Sequence, residues 1–129
     1  MSGLKVLYVD DEPDIREVAT LSLQLDREIE VRAAESGAEA IAVFAKGDWT
    51  PDVVLLDVMM PVMDGPGVLK ALREMAAATP VVFITARAQT HERGRLMDLG
   101  ALGVITKPFD PMSLAKDLRA VLAGADATA

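Results

Sequence analysis

The chain contains no cysteine, which excludes disulfides, zinc–thiolate sites and thiol nucleophiles. It also has no basic excess: 13 Lys and Arg stand against 20 Asp and Glu, a net charge of −7. Because nucleic-acid binding depends on clustered cations, we expect no nucleic acid partner. No apolar run approaches the roughly 20 residues of a membrane span, and the N-terminus lacks a signal-peptide layout. We therefore expect a cytoplasmic protein without a membrane partner.

Five short apolar segments alternate with segments of helical periodicity along 129 residues, a length typical of one domain. Residues 5–9, 53–56 and 81–84 show no polar alternation, as expected for strands buried on both faces of a parallel sheet. Residues 29–33 alternate, which indicates a strand near an edge, and residues 103–106 form a fifth candidate. We predict an α/β fold: a doubly wound, five-stranded parallel sheet of (βα)5 repeats with helices on both faces.

Helix boundaries have signals of their own. Pro13 with Asp14, Ser36, and residues 110–111 are typical of helix starts. Residues 89–99 predict the weakest helix, since the interior glycine Gly94 costs about 1 kcal/mol relative to alanine. If any segment of the domain moves, we expect it to be this helix. We expect Gly100 to end the helix in the left-handed backbone conformation. The domain is predicted to cover residues 1–123, with residues 124–129 as a frayed tail.

Polar residues follow four of the five predicted strands. Asp10 and Asp11 follow the first strand, Asp57 the third, Thr85 the fourth and Lys107 the fifth. In open α/β sheets, ligands bind outside the carboxyl ends of the strands. The sequence therefore predicts that these side chains meet at one edge of the sheet.

These segments resemble the receiver domain of two-component response regulators, in the right order over nearly the whole chain. The residues that carry the resemblance are 9–13 (VDDEP), 56–65 (LDVMMPVMDG), 85–86 (TA) and 107–109 (KPF). The resemblance implies a flavodoxin-like sheet with the strand order 2-1-3-4-5, and a phosphoprotein role in signal transduction.

The resemblance also implies roles for the polar residues. Asp57 is the expected phosphoacceptor, Lys107 its counter-ion, and Thr85 the donor of a hydroxyl to the phosphoryl group. Asp11 and Asp57 are expected to bind a metal directly, and Asp10 partly through water.

Two further positions follow from the same resemblance. The backbone carbonyl of Met59 is expected to complete the metal ligands, and the side chains of Met59 and Arg87 to flank the path of attacking water. A cis peptide bond is expected before Pro108.

The chemistry of the acidic residues agrees with these roles. Two unit charges about 4 Å apart at an effective dielectric near 20 repel by roughly 4 kcal/mol, so clustered carboxylates need a cation or raised pKa values. Oxygen ligands without His or Cys suit Mg²⁺. Asp57 can then attack phosphorus and form an acyl phosphate, while Mg²⁺ and Lys107 neutralise the phosphoryl oxygens.

The expected partners are a histidine kinase or a histidine phosphotransfer protein as donor, and a protein target. We expect a phosphoacceptor that assists only its own phosphorylation and dephosphorylation, rather than an enzyme. It would be a stand-alone response regulator, a phosphorelay intermediate, or a receiver cut from a hybrid kinase. We expect a monomer or a weak dimer.

Alternative interpretations exist for each residue and for the whole. Asp10, Asp11 and Thr85 would serve as helix caps, Asp57 as a turn residue, and Lys107 as an edge lysine. A phosphohydrolase of the haloacid dehalogenase type is a rival, but it places a second Asp two residues after the nucleophile. Met59 occupies that position here. A receiver-like module that binds partners without phosphorylation is the other alternative.

One position departs from the family pattern. Receivers commonly carry Tyr or Phe three residues before the lysine, and this ring moves together with the threonine on activation. Val104 occupies the position here and has no ring to move. We therefore expect the signal to pass through the Thr85 loop and the weak helix that follows it.

Overall fold

The computed structural model describes residues 3–86 and 89–127, and within these ranges strands and helices alternate as predicted. The strands are β1 (Leu4–Val9), β2 (Ile29–Ala34), β3 (Val53–Asp57), β4 (Val81–Thr85) and β5 (Gly103–Thr106). The helices are α1 (Pro13–Gln24), α2 (Gly37–Lys46), α3 (Gly65–Glu74), α4 (Thr90–Asp98) and α5 (Leu114–Ala127).

The strands form one parallel sheet in the order β2-β1-β3-β4-β5. This order confirms the predicted topology and places the alternating strand β2 at an edge. Strand β1 crosses to β2 on one side and β3 follows on the other, so the order reverses between β1 and β3. Ligands of doubly wound sheets bind at that reversal.

Each face of the sheet has its own apolar core, which explains why β1 and β3 show no polar alternation. On one face Leu7 and Leu56 pack with Val68 and Leu72 of α3. On the other face the cluster contains Val6, Tyr8, Leu55, Leu23 of α1 and Leu118 of α5. Successive residues of a strand alternate between the two cores.

Two of the predicted helix starts are confirmed. Helix α1 begins at Pro13, and the Ser36 hydroxyl caps α2 by accepting from the backbone N–H of Glu39 at 3.1 Å. The third is wrong: α5 begins at Leu114, because Asp110 forms a separate turn in which its Oδ1 accepts from the Met112 N–H at 2.9 Å.

The C-terminal helix is longer than predicted. Helix α5 continues to Ala127 rather than losing its helical structure at residue 124. Residues 128–129 of the predicted tail lie outside the described residues. The domain limit itself stays a prediction.

Helix α4 has the sparse packing that its sequence predicts. Leu96 is fully buried, whereas Met97 is exposed, and a methyl group at Gly94 would meet open space. Gly100 adopts a φ of +107°, as predicted for the residue that ends this segment. Mobility of α4 stays a prediction.

Among the helices of the described ranges, none combines the length and apolar composition that a membrane span requires.

Candidate functional site

The carboxyl ends of four adjacent strands bring the predicted site residues to one edge of the sheet. Asp10 directly follows β1, Asp57 ends β3, Thr85 ends β4, and Lys107 follows β5. Strands β1, β3, β4 and β5 are consecutive neighbours. The side chains of Asp10, Asp57 and Lys107 meet there.

The Lys107 ammonium lies between two buried carboxylates. Its Nζ is 3.1 Å from Asp10 Oδ2 and 3.2 Å from Asp57 Oδ2, and 3.6 Å from Oε1 of the more exposed Glu12. Asp10 is 0% exposed and Asp57 is 4% exposed. One ammonium therefore pairs with two carboxylates that water barely reaches and compensates only part of their charge.

Asp11 adds a third carboxylate to this pair. One carboxylate oxygen from each of Asp10, Asp11 and Asp57 lies within 4.8 Å of the other two. The three donors are hard oxygens, and a single ammonium leaves their charge uncompensated. Because Mg²⁺ prefers carboxylate oxygens and needs few protein ligands, this donor set fits Mg²⁺.

Burial and charge shift the proton affinities of the pocket. Burial, followed by the charge of Asp10, raises the pKa of Asp57 from 3.8 to about 6, although Lys107 and the Met59 amide act in the opposite direction. Burial disfavours the charged form of Lys107, but its contacts with Asp10 and Asp57 outweigh this effect and raise its pKa. The pocket therefore keeps its ammonium charged while the Asp57 carboxylate carries an energetic penalty.

The turns around the carboxylates are built by local hydrogen bonds. Asp10 Oδ1 accepts from the backbone N–H of Glu12 at 3.0 Å. Glu12, rather than Asp10 or Asp11, is the residue that precedes the first turn of α1, and its side chain forms no capping bond. The interpretation of Asp10 and Asp11 as caps of α1 is therefore wrong.

Gly65 allows α3 to begin against the backbone of Asp57. A Cβ at Gly65 would lie 2.6 Å from the Asp57 carbonyl oxygen, closer than real Cβ contacts. Its N–H donates to the Val58 carbonyl at 2.9 Å. A side chain at position 65 would therefore displace the start of α3 from the Asp57 backbone.

Thr85 and Met59 flank the pocket in different ways. Thr85 is 1% exposed, and its carbonyl accepts from the backbone N–H of Lys107 at 2.8 Å. The Met59 N–H donates to Asp57 Oδ1 at 3.4 Å, while its side chain is exposed.

The peptide bond between Lys107 and Pro108 is cis, as expected. Arg87 lies outside the described residues.

Two contacts of Asp10 were missed in the sequence. The Tyr8 hydroxyl donates to Asp10 Oδ2 at 2.9 Å, and Arg16 Nη1 donates to the Asp10 carbonyl at 2.8 Å. The spacing of two between Tyr8 and Asp10, which places them on the same side of β1, was the available signal for the first contact.

Comparison with known proteins decides the family. Residues 6–119 match the family described as "Response regulator receiver domain". The chain belongs to the response regulator receiver family. Receiver domains are phosphoacceptor modules of two-component systems rather than enzymes in the usual sense. They generally bind Mg²⁺ at the acidic pocket, and response regulators interact with histidine kinases or phosphotransfer proteins.

Curated relatives of this receiver domain include longer regulators. "Transcriptional regulatory protein TrcR" of Mycobacterium tuberculosis is 39% identical over 121 residues, which are 94% of this chain and 46% of that protein. "Regulatory protein AtoC" of Escherichia coli is 38% identical over 106 residues, which are 82% of this chain and 22% of that protein. The chain spans about half the length of the first of these relatives.

Solved structures of receivers share the fold. The chemotaxis response regulator CheY4 of Vibrio cholerae superposes with a TM-score of 0.83 at 36% identity, covering 93% of this chain and 99% of that chain. The receiver domain of the Francisella response regulator 1452 gives a TM-score of 0.80 at 28% identity, covering 98% and 100%. The whole of a single receiver domain is therefore similar to this chain.

The raised pKa of Asp57 predicts how stability depends on pH. The folded protein binds a proton at Asp57 more tightly than the unfolded chain, so ionisation of Asp57 costs folding free energy. The cost is absent below pH 3.8 and complete above about pH 6. At pH 7 and without metal, we expect Asp57→Asn to raise the free energy of unfolding by up to roughly 3 kcal/mol. Chemical denaturation across this pH range measures the gain, which should vanish toward the acid end.

Asp98→Asn is the matched control for this experiment, because Asp98 is an exposed carboxylate at the end of α4. It should change stability little at any pH. Lower stability of Asp57→Asn at pH 7, or an equal pH-dependent gain in Asp98→Asn, would contradict the account.

Proposed function

We propose that this receiver domain accepts a phosphoryl group on Asp57 from a phosphohistidine of a histidine kinase or phosphotransfer protein. The observation that carries the proposal is the position of Lys107 between two buried carboxylates, 3.2 Å from Asp57 Oδ2. A cation so close to the nucleophile is placed to neutralise the phosphoryl oxygens that arrive there.

The transfer forms one bond and breaks one. An Asp57 carboxylate oxygen attacks phosphorus, the phosphorus–nitrogen bond of phosphohistidine breaks, and the imidazole nitrogen keeps the electron pair. Lys107 contacts a phosphoryl oxygen, and the Thr85 hydroxyl donates to another. The product is an acyl phosphate on Asp57.

The metal of this proposal is Mg²⁺. Asp10, Asp11 and Asp57 would hold it together with the backbone carbonyl of Met59, and Asp10 would contribute partly through water. When bound, Mg²⁺ supplies positive charge against the carboxylates and the phosphoryl oxygens. The clustering of the three carboxylates supports this ligand set.

An apolar depression beside Lys107 supports docking of a protein donor. Its volume is about 260 Å³, and Val18 of α1 and Phe109 line it together with Pro108. A partner that brings an imidazole to Asp57 must contact this rim of the sheet. Apolar side chains there would supply contact area that a small phosphodonor does not use.

The phosphohydrolase alternative lacks its acid–base group. Met59, two residues after Asp57, has a thioether that exchanges no proton, and its side chain is exposed to solvent. Turnover of external phosphate esters is therefore not expected. A stand-alone role, a cytoplasmic location, and a monomeric or weakly dimeric state stay predictions, as does the identity of the protein target.

Phosphorylation is tested by intact mass after incubation with a small acyl phosphate and Mg²⁺. We expect a single labile phosphoryl group that requires Mg²⁺ and is absent from Asp57→Asn, because Asp57 is the nucleophile. Asp64→Asn is the control, since Asp64 lies in the same loop but caps α3, accepting from the Gly67 N–H at 2.9 Å.

Asp64→Asn should still be phosphorylated. An adduct that persists in Asp57→Asn would overturn the assignment of the nucleophile. If neither a small donor nor a phosphorylated phosphotransfer protein gives an adduct, the phosphorylation-independent alternative is supported instead.

We infer that phosphorylation is transmitted to α4. Val104 is buried in the core with Phe83 and Leu96, and its carbonyl accepts from Arg93 Nη1 of α4 at 3.4 Å. The Thr85 end of β4 is hydrogen-bonded to the Lys107 backbone on one side and leads into α4 on the other. Movement of Thr85 would therefore shift α4 even though no aromatic ring is present at position 104 to transmit it.

Amide spectra with beryllofluoride, which imitates a phosphoryl group on Asp57, test this route. We expect the Gly94 and Leu96 signals to shift, because α4 is sparsely packed. The signals of α2, which packs on β1 and β2 at the other edge of the sheet, should change little. Asp57→Asn with beryllofluoride is the control and should show no change. Identical α4 spectra with and without beryllofluoride in the unmodified protein would exclude this route.

A further inference from the structure

Tyr8 is the only tyrosine of the chain, and its side chain connects the core to the acidic pocket. The residue is 1% exposed and packs in the core that α1 and α5 cover. Its hydroxyl donates to Asp10 Oδ2 at 2.9 Å. A side chain that otherwise fills an apolar core therefore ends on a carboxylate of the site.

The Asp10 carboxylate is held at both oxygens. Oδ1 accepts from the Glu12 N–H at 3.0 Å, and Oδ2 accepts from the Tyr8 hydroxyl and lies 3.1 Å from Lys107 Nζ. These three donors differ in their freedom. The backbone N–H and the packed phenol ring are fixed, whereas the lysine side chain has four rotatable bonds.

The proposed function requires Lys107 to contact an incoming phosphoryl oxygen. Its ammonium is then shared with a new anion, and its contact with Asp10 weakens. Leaving a buried carboxylate oxygen without a hydrogen-bond donor costs free energy. The Tyr8 hydroxyl remains in place, because its ring is enclosed by the core and cannot follow Lys107.

We propose that Tyr8 is a positioning residue of the cation site, whose hydroxyl holds the Asp10 carboxylate in the orientation that places one oxygen within 4.8 Å of oxygens of Asp11 and Asp57. The inference rests on the proposed function, which supplies the cation. A tyrosine hydroxyl is protonated at neutral pH, so it donates to the Asp10 carboxylate. Residues that orient metal ligands commonly change metal affinity by 10-fold or more when they are replaced.

Tyr8→Phe removes the hydroxyl and keeps the ring in the core. We expect this variant to bind Mg²⁺ about 10-fold more weakly than the unmodified protein. The readout is the Mg²⁺ concentration at the midpoint of the shifts of the Glu12 and Met59 amide signals. These amides contact Asp10 and Asp57 respectively, so the titration needs no phosphorylation.

Ser22→Ala is the matched control. Ser22 is a buried residue of α1, and its hydroxyl donates to the Pro111 carbonyl, away from the carboxylates. Loss of this hydroxyl should reduce stability and leave Mg²⁺ affinity unchanged. Equal Mg²⁺ affinities of Tyr8→Phe and the unmodified protein, or equal weakening by Ser22→Ala, would overturn the inference.

A measurement on the unmodified side chain provides a second test. Carbon-13 at Cζ of the single tyrosine should shift with the same Mg²⁺ midpoint as the Glu12 amide, and the shift should be lost in Asp10→Asn. A Cζ signal that does not shift on addition of Mg²⁺ would overturn the proposal that Tyr8 positions Asp10. If the unmodified protein shows no saturable response of any signal to Mg²⁺, the proposed function fails, and this inference with it.

Discussion

The Lys107 ammonium between Asp10 and Asp57 is the interaction on which the site depends. Both carboxylates are almost without solvent contact, and an unpaired buried charge is strongly destabilising. The contacts at 3.1 and 3.2 Å make their burial tolerable. Because Lys107 follows β5, Asp10 follows β1 and Asp57 ends β3, the site forms only when the parallel sheet is assembled across these strands.

One lysine compensates only part of the negative charge of the pocket, and the proposed function depends on the uncompensated part. Three carboxylates cluster beside one partly buried ammonium, and burial, followed by the charge of Asp10, raises the pKa of Asp57. In the proposed function, a divalent cation would relieve this repulsion, and a phosphoryl group would bring new oxygens for Lys107 to neutralise. The fold therefore gives up some stability at this edge, as proteins commonly do at functional sites.

Much of the fold was predictable because its cause is local. Unbroken apolar runs at β1 and β3 follow from burial on both faces of a sheet, and the alternation of β2 follows from its edge position. The start of α5 was missed because the Asp110 side chain closes a turn on the Met112 N–H, and aspartate is common both in turns and at helix starts.

The site was predictable where residues end strands and less so where they lie within them. Asp10, Asp57 and Lys107 follow strands, so their meeting requires only the sheet order. In the sequence, Tyr8 is part of an apolar strand. Its hydroxyl contributes to the site because the ring is long enough to reach Asp10, the next residue on the same side of β1. The Arg93 contact with Val104 depends on how α4 packs on β5, which no local pattern specifies.

The most direct test of this account is the titration of the Asp57 carboxyl carbon by NMR in the metal-free protein. Burial, followed by the charge of Asp10, predicts a pKa of about 6 for Asp57, and Asp10→Asn should lower this pKa because it removes the second cause. A pKa at the ordinary value of 3.8, unchanged by Asp10→Asn, would show that the carboxylates do not compete for one lysine and would contradict the account.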